Sequence, residues 1–264
     1  MAEAIGTAAV NGDLWGAHAR TWADIQEAIA KPLYLDVIER LGIGTKSAYL
    51  DVGCGSGMAL QLAASRGATV AGIDAAEALV AIARERVPAA DLRVGELETL
   101  PFADGTFDVI TGFNSFQYAA RPVNALAEAK RVAKKGASVV IATWTTPDRT
   151  QAAALLGALK PLLPAPPPGA PGPFALSDEA ALRALATQAG LVPGEVRDVE
   201  CPFAYPDVET AIRGVNSAGV AEKAIRHSGI EAVTAAHREV IERFRRPDGS
   251  VHIGNAFRYL IAAT

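Results

Sequence analysis

The nine residues Tyr49-Leu50-Asp51-Val52-Gly53-Cys54-Gly55-Ser56-Gly57 constrain the fold of this 264-residue chain more than any other segment. An apolar run ends in an acid, glycine follows at every second position, and a helix-forming stretch begins at Met58. This pattern predicts a strand, a tight turn and a helix start, with a backbone bare enough for a ligand to lie against it. The spacing is GxGxG, whereas the dinucleotide fingerprint GxGxxG would need its third glycine at Met58. A carboxylate at Asp51, at the mouth of the turn, repels a pyrophosphate and suits a ligand with an ammonium or sulfonium charge. Cys54 reads as a small apolar filler inside the turn.

Around this segment the hydrophobic period alternates. Residues 14–41 carry Trp15, His18, Trp22, Ile25 and Ile29 at helical spacing; Lys31-Pro32 splits the pattern in two, and Gly42 and Gly44 close it. Strands are predicted at Ala48–Val52, Thr69–Ile73, Leu92–Val94, Phe107–Thr111 and Ala137–Trp144, with helices over 58–66, 76–86 and 121–132. Strands apolar on both faces, alternating with helices, argue a parallel sheet covered on both sides with right-handed crossovers. Beyond Trp144 the proline-rich stretch Pro161–Pro173 is expected to be extended and outside any sheet. Ser177-Asp178-Glu179 opens a helix that Gly190 ends. Val196–Phe203 and Val251–Ile261 read as strands, with two or three helices between Asp207 and Arg246.

In a doubly wound sheet, ligands bind beyond the carboxyl ends of the strands where strand order reverses. Asp74 ends the second strand about 20 residues after Gly53, where a carboxylate accepts from two ribose hydroxyls; the same position also suits a helix N-cap. Gly95-Glu96-Leu97-Glu98-Thr99-Leu100-Pro101-Phe102-Ala103-Asp104-Gly105-Thr106-Phe107-Asp108 follows the third strand, its Ala103–Thr106 reading as a turn. Thr111-Gly112-Phe113-Asn114-Ser115-Phe116-Gln117-Tyr118 follows the fourth. In these pieces, in this order over residues 47–144, the chain resembles the class I S-adenosylmethionine (SAM) dependent methyltransferases. Within them it is similar to the small-molecule branch related to the ubiquinone and menaquinone biosynthesis enzymes.

The resemblance implies SAM as cofactor, held by Asp51, Gly53, Cys54, Gly55, Gly57, Asp74 and Ala75. It implies that Glu96 accepts the exocyclic amine of adenine and that the Leu97 N–H meets a ring nitrogen, although the family more often has Asp at the position of Glu96. It also implies that Asn114 and the backbone around it run beneath the methionine part; Phe113, Phe116 and Tyr118 are candidates either to wall the methyl acceptor or to pack the core. N-terminal helices cover the cofactor in related enzymes, which makes Arg20 a candidate partner for the methionine carboxylate and Trp22 a neighbour. Among four histidines, His18 is the candidate catalytic base, because it shares a helical face with Trp15 and Trp22. The expected architecture is a single α/β domain, 1–264: a doubly wound, mostly parallel, seven-stranded Rossmann-like sheet. It has an N-terminal helical cap (1–45), a cofactor-binding core (46–145) and a helical lid or substrate insertion (206–247) before the last strand.

Composition removes several classes. Lys plus Arg number 25 against 29 Asp plus Glu, a net charge of −4 without the basic excess of a nucleic-acid binder. No apolar run approaches membrane-spanning length, and Met1–Val10 lacks the features of a signal peptide. Cys54 and Cys201 form no disulfide framework or metal-ligand spacing, so no metal is expected and a reducing, cytoplasmic setting is. The expected activity is methyl transfer from SAM to an O, N or C atom of a small-molecule metabolite, by a monomer or homodimer. Two other classes stay open. One is a SAM-binding protein without transfer. The other is an NAD-dependent oxidoreductase, which shares the sheet and Asp74, but against which the glycine spacing and Asp51 argue.

Overall fold

The computed structural model describes residues 6–165 and 173–264. Most of the proline-rich stretch, with Pro166, Pro167, Pro168 and Pro171, lies outside the described residues. The chain opens with α1 (Ala8–Gly16) and the single turn α2 (Ala19–Thr21). A π-helical turn over Trp22–Gln26 and a 3-10 turn over Glu27–Ala30 lead into α3 (Lys31–Arg40). The expected unbroken helix from residue 14 to Pro32 is therefore corrected. Pro32, in the first turn of α3, lacks an N–H and crowds the carbonyl four residues earlier. The preceding turns respace instead: Glu27 N–H bonds Trp22 O, five residues back, and Lys31 N–H bonds Ala28 O, three back.

The alternation that follows agrees closely with the sequence periods. It runs β1 (Ala48–Val52), α4 (Met58–Ser65), β2 (Thr69–Asp74), α5 (Glu77–Arg86), β3 (Asp91–Val94), β4 (Phe107–Phe113), α6 (Pro122–Val132) and β5 (Ala133–Trp144). Then come α7 (Ala153–Leu159), α8 (Glu179–Gln188), β6 (Val192–Glu200), β7 (Phe203–Tyr205), α9 (Val208–Asn216), α10 (Gly219–Ser228), α11 (Ile230–Glu242), β8 (Val251–Ile253) and β9 (Ala256–Ala263). Asp178 caps α8 by accepting from Ala181 N–H at 2.9 Å, as its Ser-Asp-Glu opening suggests.

Among the described residues seven strands form one sheet in the order β3-β2-β1-β4-β5-β9-β6, parallel except for β9, which runs antiparallel to both neighbours. Strand order reverses between β1 and β4, so the crevice at their carboxyl ends is the place where this topology binds ligands. Leu126, Val132 and Leu182 pack one face of the sheet; Ile38, Leu60 and Val80 pack the other. The two long strands expected at Val196–Phe203 and Val251–Ile261 are each divided. Their separated pieces, β7 and β8, pair as a two-stranded sheet under the insertion. Cys201 and Asn255 hold the divergence: Cys201 N–H bonds Asn255 O at 2.8 Å, and Asn255 Nδ2 donates to Cys201 O at 3.2 Å.

The N-terminal segment and the insertion touch each other. Asp13 pairs with Arg226, His18 Nε2 lies 3.1 Å from Glu222, and the Trp15 indole covers Gly219. A Cβ on Gly219 would lie 2.8 Å from Trp15 Nε1. Gly219→Leu is therefore expected to destabilise the fold by about 1–3 kcal/mol through overpacking, read as a lowered urea midpoint. An unchanged midpoint would show that the two segments are not in tight contact.

Candidate functional site

The glycine turn has its spacing because alternate residues adopt left-handed backbone. Gly53, Gly55 and Gly57 have φ of +79°, +53° and +85°. At Gly53 a Cβ would also lie 2.3 Å from Ser115 Cβ, so no other residue fits. Gly53 and Cys54 N–H both donate to Ile73 O, at 2.7 and 3.0 Å, and Gly55 N–H donates to Asp74 Oδ2 at 2.8 Å. These bonds tie the turn to the tip of β2. Cys54 fills the space left by Gly72 and is buried, which pushes its thiol pKa well up and suits a filler.

Acids stand at the tips of three neighbouring strands. Asp51 is 2% exposed and accepts from Thr111 Oγ1 at 2.7 Å; the Thr111 oxygen in turn accepts from Tyr49 OH at 2.6 Å. Burial pushes the Asp51 carboxyl up to about 7, against the pull of the Thr111 bond, with Asp74 and Glu27 adding to the rise. Asp74 accepts from Gly55 and Ala76 N–H, and burial outweighs these bonds to raise its pKa too. Glu96 accepts from Ala8 N–H at 2.9 Å and from Leu97 N–H at 2.8 Å, so the start of α1 sits directly on it. Beyond β4, Asn114 takes φ of +53°, alone among the described residues other than glycine. That strained conformation lies at the edge of the ligand crevice.

These residues line one cavity of about 630 Å³. Asp51, Gly53, Cys54, Gly55, Asp74, Ala75, Glu96, Leu97, Asn114 and Trp22 all border it, and so do Phe113 and Tyr118. Four of the candidate residues do not border the cavity. Gly57 lies outside the cavity, packed on Ala83. Phe116 is fully buried in the sheet core, its ring filling the space beside Gly112. Arg20 is exposed and bonds both oxygens of Glu85 on α5, because the short α2 turn carries it outward. His18, with a side chain 45% exposed, faces Glu222 outside the cavity, since the break after Gly16 removes it from the helical face of Trp15.

Other residues of the site carried little or no signal in the sequence. Glu27 is 4% exposed, pairs with Arg86 and accepts from Met58 N–H at 3.3 Å where α4 begins. Arg86 also bonds Ser56 O at 3.0 Å and Ala23 O at 2.9 Å. The pair buckles the N-terminal segment to the glycine turn, yet each residue alone reads as a solvated helix charge. His237 is 1% exposed, its Nδ1 2.6 Å from Asn216 Oδ1. Burial lowers its pKa to about 4, so the ring stays neutral at physiological pH. Its only advance hint was its place on the apolar face of a helix. Among the described residues no group of His, Cys, Asp and Glu is arranged to hold a metal, and no helix is long and apolar enough to cross a membrane.

Residues 50–141 match a protein family described as Methyltransferase domain. The chain is 35% identical over 132 residues to a ubiquinone biosynthesis O-methyltransferase of Hahella chejuensis, covering 48% of this chain and 56% of that protein. It is 32% identical over 111 residues to a demethylmenaquinone methyltransferase of Renibacterium salmoninarum, covering 42% and 47%. The chain thus spans about half the length of these curated relatives. A SAM-dependent methyltransferase from Aquifex aeolicus shares the fold, with a TM-score of 0.53, 23% identity, and coverage of 69% of this chain and 92% of that one.

The buried Asp51 has a consequence for stability. Its folded-state pKa is above the unfolded value, so between about pH 4 and 7 the folded form keeps a proton that the unfolded chain releases. Stability is therefore lost as pH rises through that window, by roughly 1.4 kcal/mol per pH unit from this group. From pH 5 to pH 8 the urea midpoint of the parent should fall relative to that of Asp51→Asn. Identical pH dependence in the two proteins would refute the assignment.

Proposed function

We propose that this chain, whose residues 50–141 belong to the methyltransferase-domain family, binds SAM and catalyses transfer of its methyl group to a small molecule. One observation carries the reading. A bare, left-handed glycine turn faces a cavity whose same end holds Asp51, Asp74 and Glu96 at the tips of β1, β2 and β3. Such an end favours a cationic ligand bearing hydroxyl and amine donors and disfavours a pyrophosphate. That preference argues against a nicotinamide dinucleotide.

The residues fit the cofactor. Each Asp74 oxygen accepts one backbone N–H, which leaves lone pairs for ribose hydroxyls. Glu96 has the same spare capacity for an adenine amine, and the Leu97 N–H becomes available once it releases Glu96. Asp51 and the backbone of Gly53 and Asn114 border the position for the methionine part. The bound cofactor supplies a methyl group already activated on a sulfonium. The protein's own task is to align the acceptor with that methyl and to exclude water, and such positioning is worth roughly 7–11 kcal/mol.

In this reading residues 46–145 bind the cofactor, while the N-terminal cap (1–45) and the helical insertion (206–247) close the acceptor chamber. The named relatives act in quinone biosynthesis, which supports a small-molecule acceptor here. Two buried free thiols, Cys54 and Cys201, support a cytoplasmic setting.

Calorimetric titration should show binding of SAM and none of NADH. Asp74→Ala is expected to weaken SAM binding tenfold or more, since a hydrogen bond to a charged group is worth about 1.5–3 kcal/mol; unchanged affinity would remove the ribose role. Affinity for SAM should also rise from pH 6 to pH 8 as Asp51 ionises and attracts the cation, and Asp51→Asn should flatten that rise. If labelled SAM binds but passes no methyl to a metabolite panel, the protein is a binder without transfer.

A further inference from the structure

The cavity changes character along its length. Beyond the acids its walls are Trp144, Leu155, Phe203, Val215 and Phe257. Lys223 is the one Lys or Arg among the described lining residues, and it is exposed. Gln26 borders this same space and is only 7% exposed. Tyr205 OH donates to its Oε1 at 2.7 Å. Gly214 crowds the same oxygen so closely that a Cβ there would sit 2.7 Å away. With the oxygen held against the insertion, the amide nitrogen is the end left for the cavity. Among the described residues Nε2 bonds no protein atom, and it is not among the polar atoms sealed from solvent.

The backbone delivers Gln26 by an unusual route. It closes the π-helical turn Trp22–Gln26, a rare geometry that recurs at functional sites. The extra residue in that turn brings Trp22, Gln26 and Glu27 all onto the cavity wall. A donor in an apolar chamber penalises any ligand that buries it without offering an acceptor, so it selects for oxygen at that point.

We propose that Gln26 Nε2 is the acceptor-recognition donor, taking the oxygen of an uncharged, ring-bearing and otherwise apolar molecule. This rests on the reading that the acid-lined end holds SAM. Gln26 then fixes which atom of the acceptor faces the methyl donor, acting as a specificity-determining residue and not as a base. Tyr205 is its positioning residue.

All three tryptophans of the chain, Trp15, Trp22 and Trp144, border the cavity, so quenching of their fluorescence reports occupancy. The probes are 2-acetylnaphthalene and 2-ethylnaphthalene, alike in shape and differing in one carbonyl oxygen. The wild-type protein is expected to bind the ketone about tenfold more tightly. Gln26→Leu should bind the two equally while its calorimetric affinity for SAM stays unchanged, and Tyr205→Phe should narrow the preference. A wild-type protein that does not distinguish the probes, or a Gln26→Leu protein that still does, overturns the proposal. Should Gln26→Leu fail to fold, an undiminished preference in Tyr205→Phe overturns it equally. Absence of SAM binding by the wild type, with the ketone preference intact, would instead sink the cofactor reading.

Discussion

The Asp74 carboxylate holds two parts of the molecule at once. One oxygen receives the N–H of Gly55 in the glycine turn, and the other receives Ala76 N–H where α5 begins. The turn is further pinned by Ile73 O, so the whole Gly53–Gly57 loop is suspended from the end of β2. Everything placed around the acid-lined end inherits its position from these bonds. They also keep a half-buried acid from being unsatisfied, which would otherwise cost several kcal/mol.

Electrostatics then gives the cavity a direction. At one end carboxylates are held in a poorly solvated place, with Arg86 committed to Glu27 and to backbone carbonyls. Their raised pKa values record first the cost of burying charge there, and second the proximity of neighbouring carboxylates. A cation entering that end relieves the cost, so part of its binding energy is stored in the ligand-free protein. At the other end the walls are aromatic and aliphatic, and the buried His237 is neutral. A molecule seated there meets shape and a few fixed dipoles.

The acid-lined half of this arrangement was legible in the sequence because it is local. A strand, a turn and a helix start follow from neighbouring residues, and the acids at Asp51, Asp74 and Glu96 sit at strand ends that periodicity locates. The rest of the site is made of distant pairings. Glu27 finds Arg86, Gln26 finds Tyr205 and His237 finds Asn216, and a helical period indicates which way a side chain faces without naming its partner. Extrapolation also failed where backbone geometry changed. The break after Gly16 took His18 off the face it shares with Trp15 and Trp22 on an ideal helix, and the short α2 turn carried Arg20 outward. The division of the last strands turned on cross-chain bonds at Cys201 and Asn255 that no local pattern carries.

The contacts of Asp13, Trp15 and His18 with α10 bear on how the protein is made. Their partners lie some two hundred residues downstream, so during synthesis these residues must wait for them. A nascent chain that has emerged as far as Trp144 already carries the acid tips and the glycine turn. It lacks Phe203, Val215, His237 and Phe257, and its aromatic wall stands open to water. The chamber is therefore closed by residues that come after Trp144, and a product truncated there carries the acid-lined half without an enclosure for anything else.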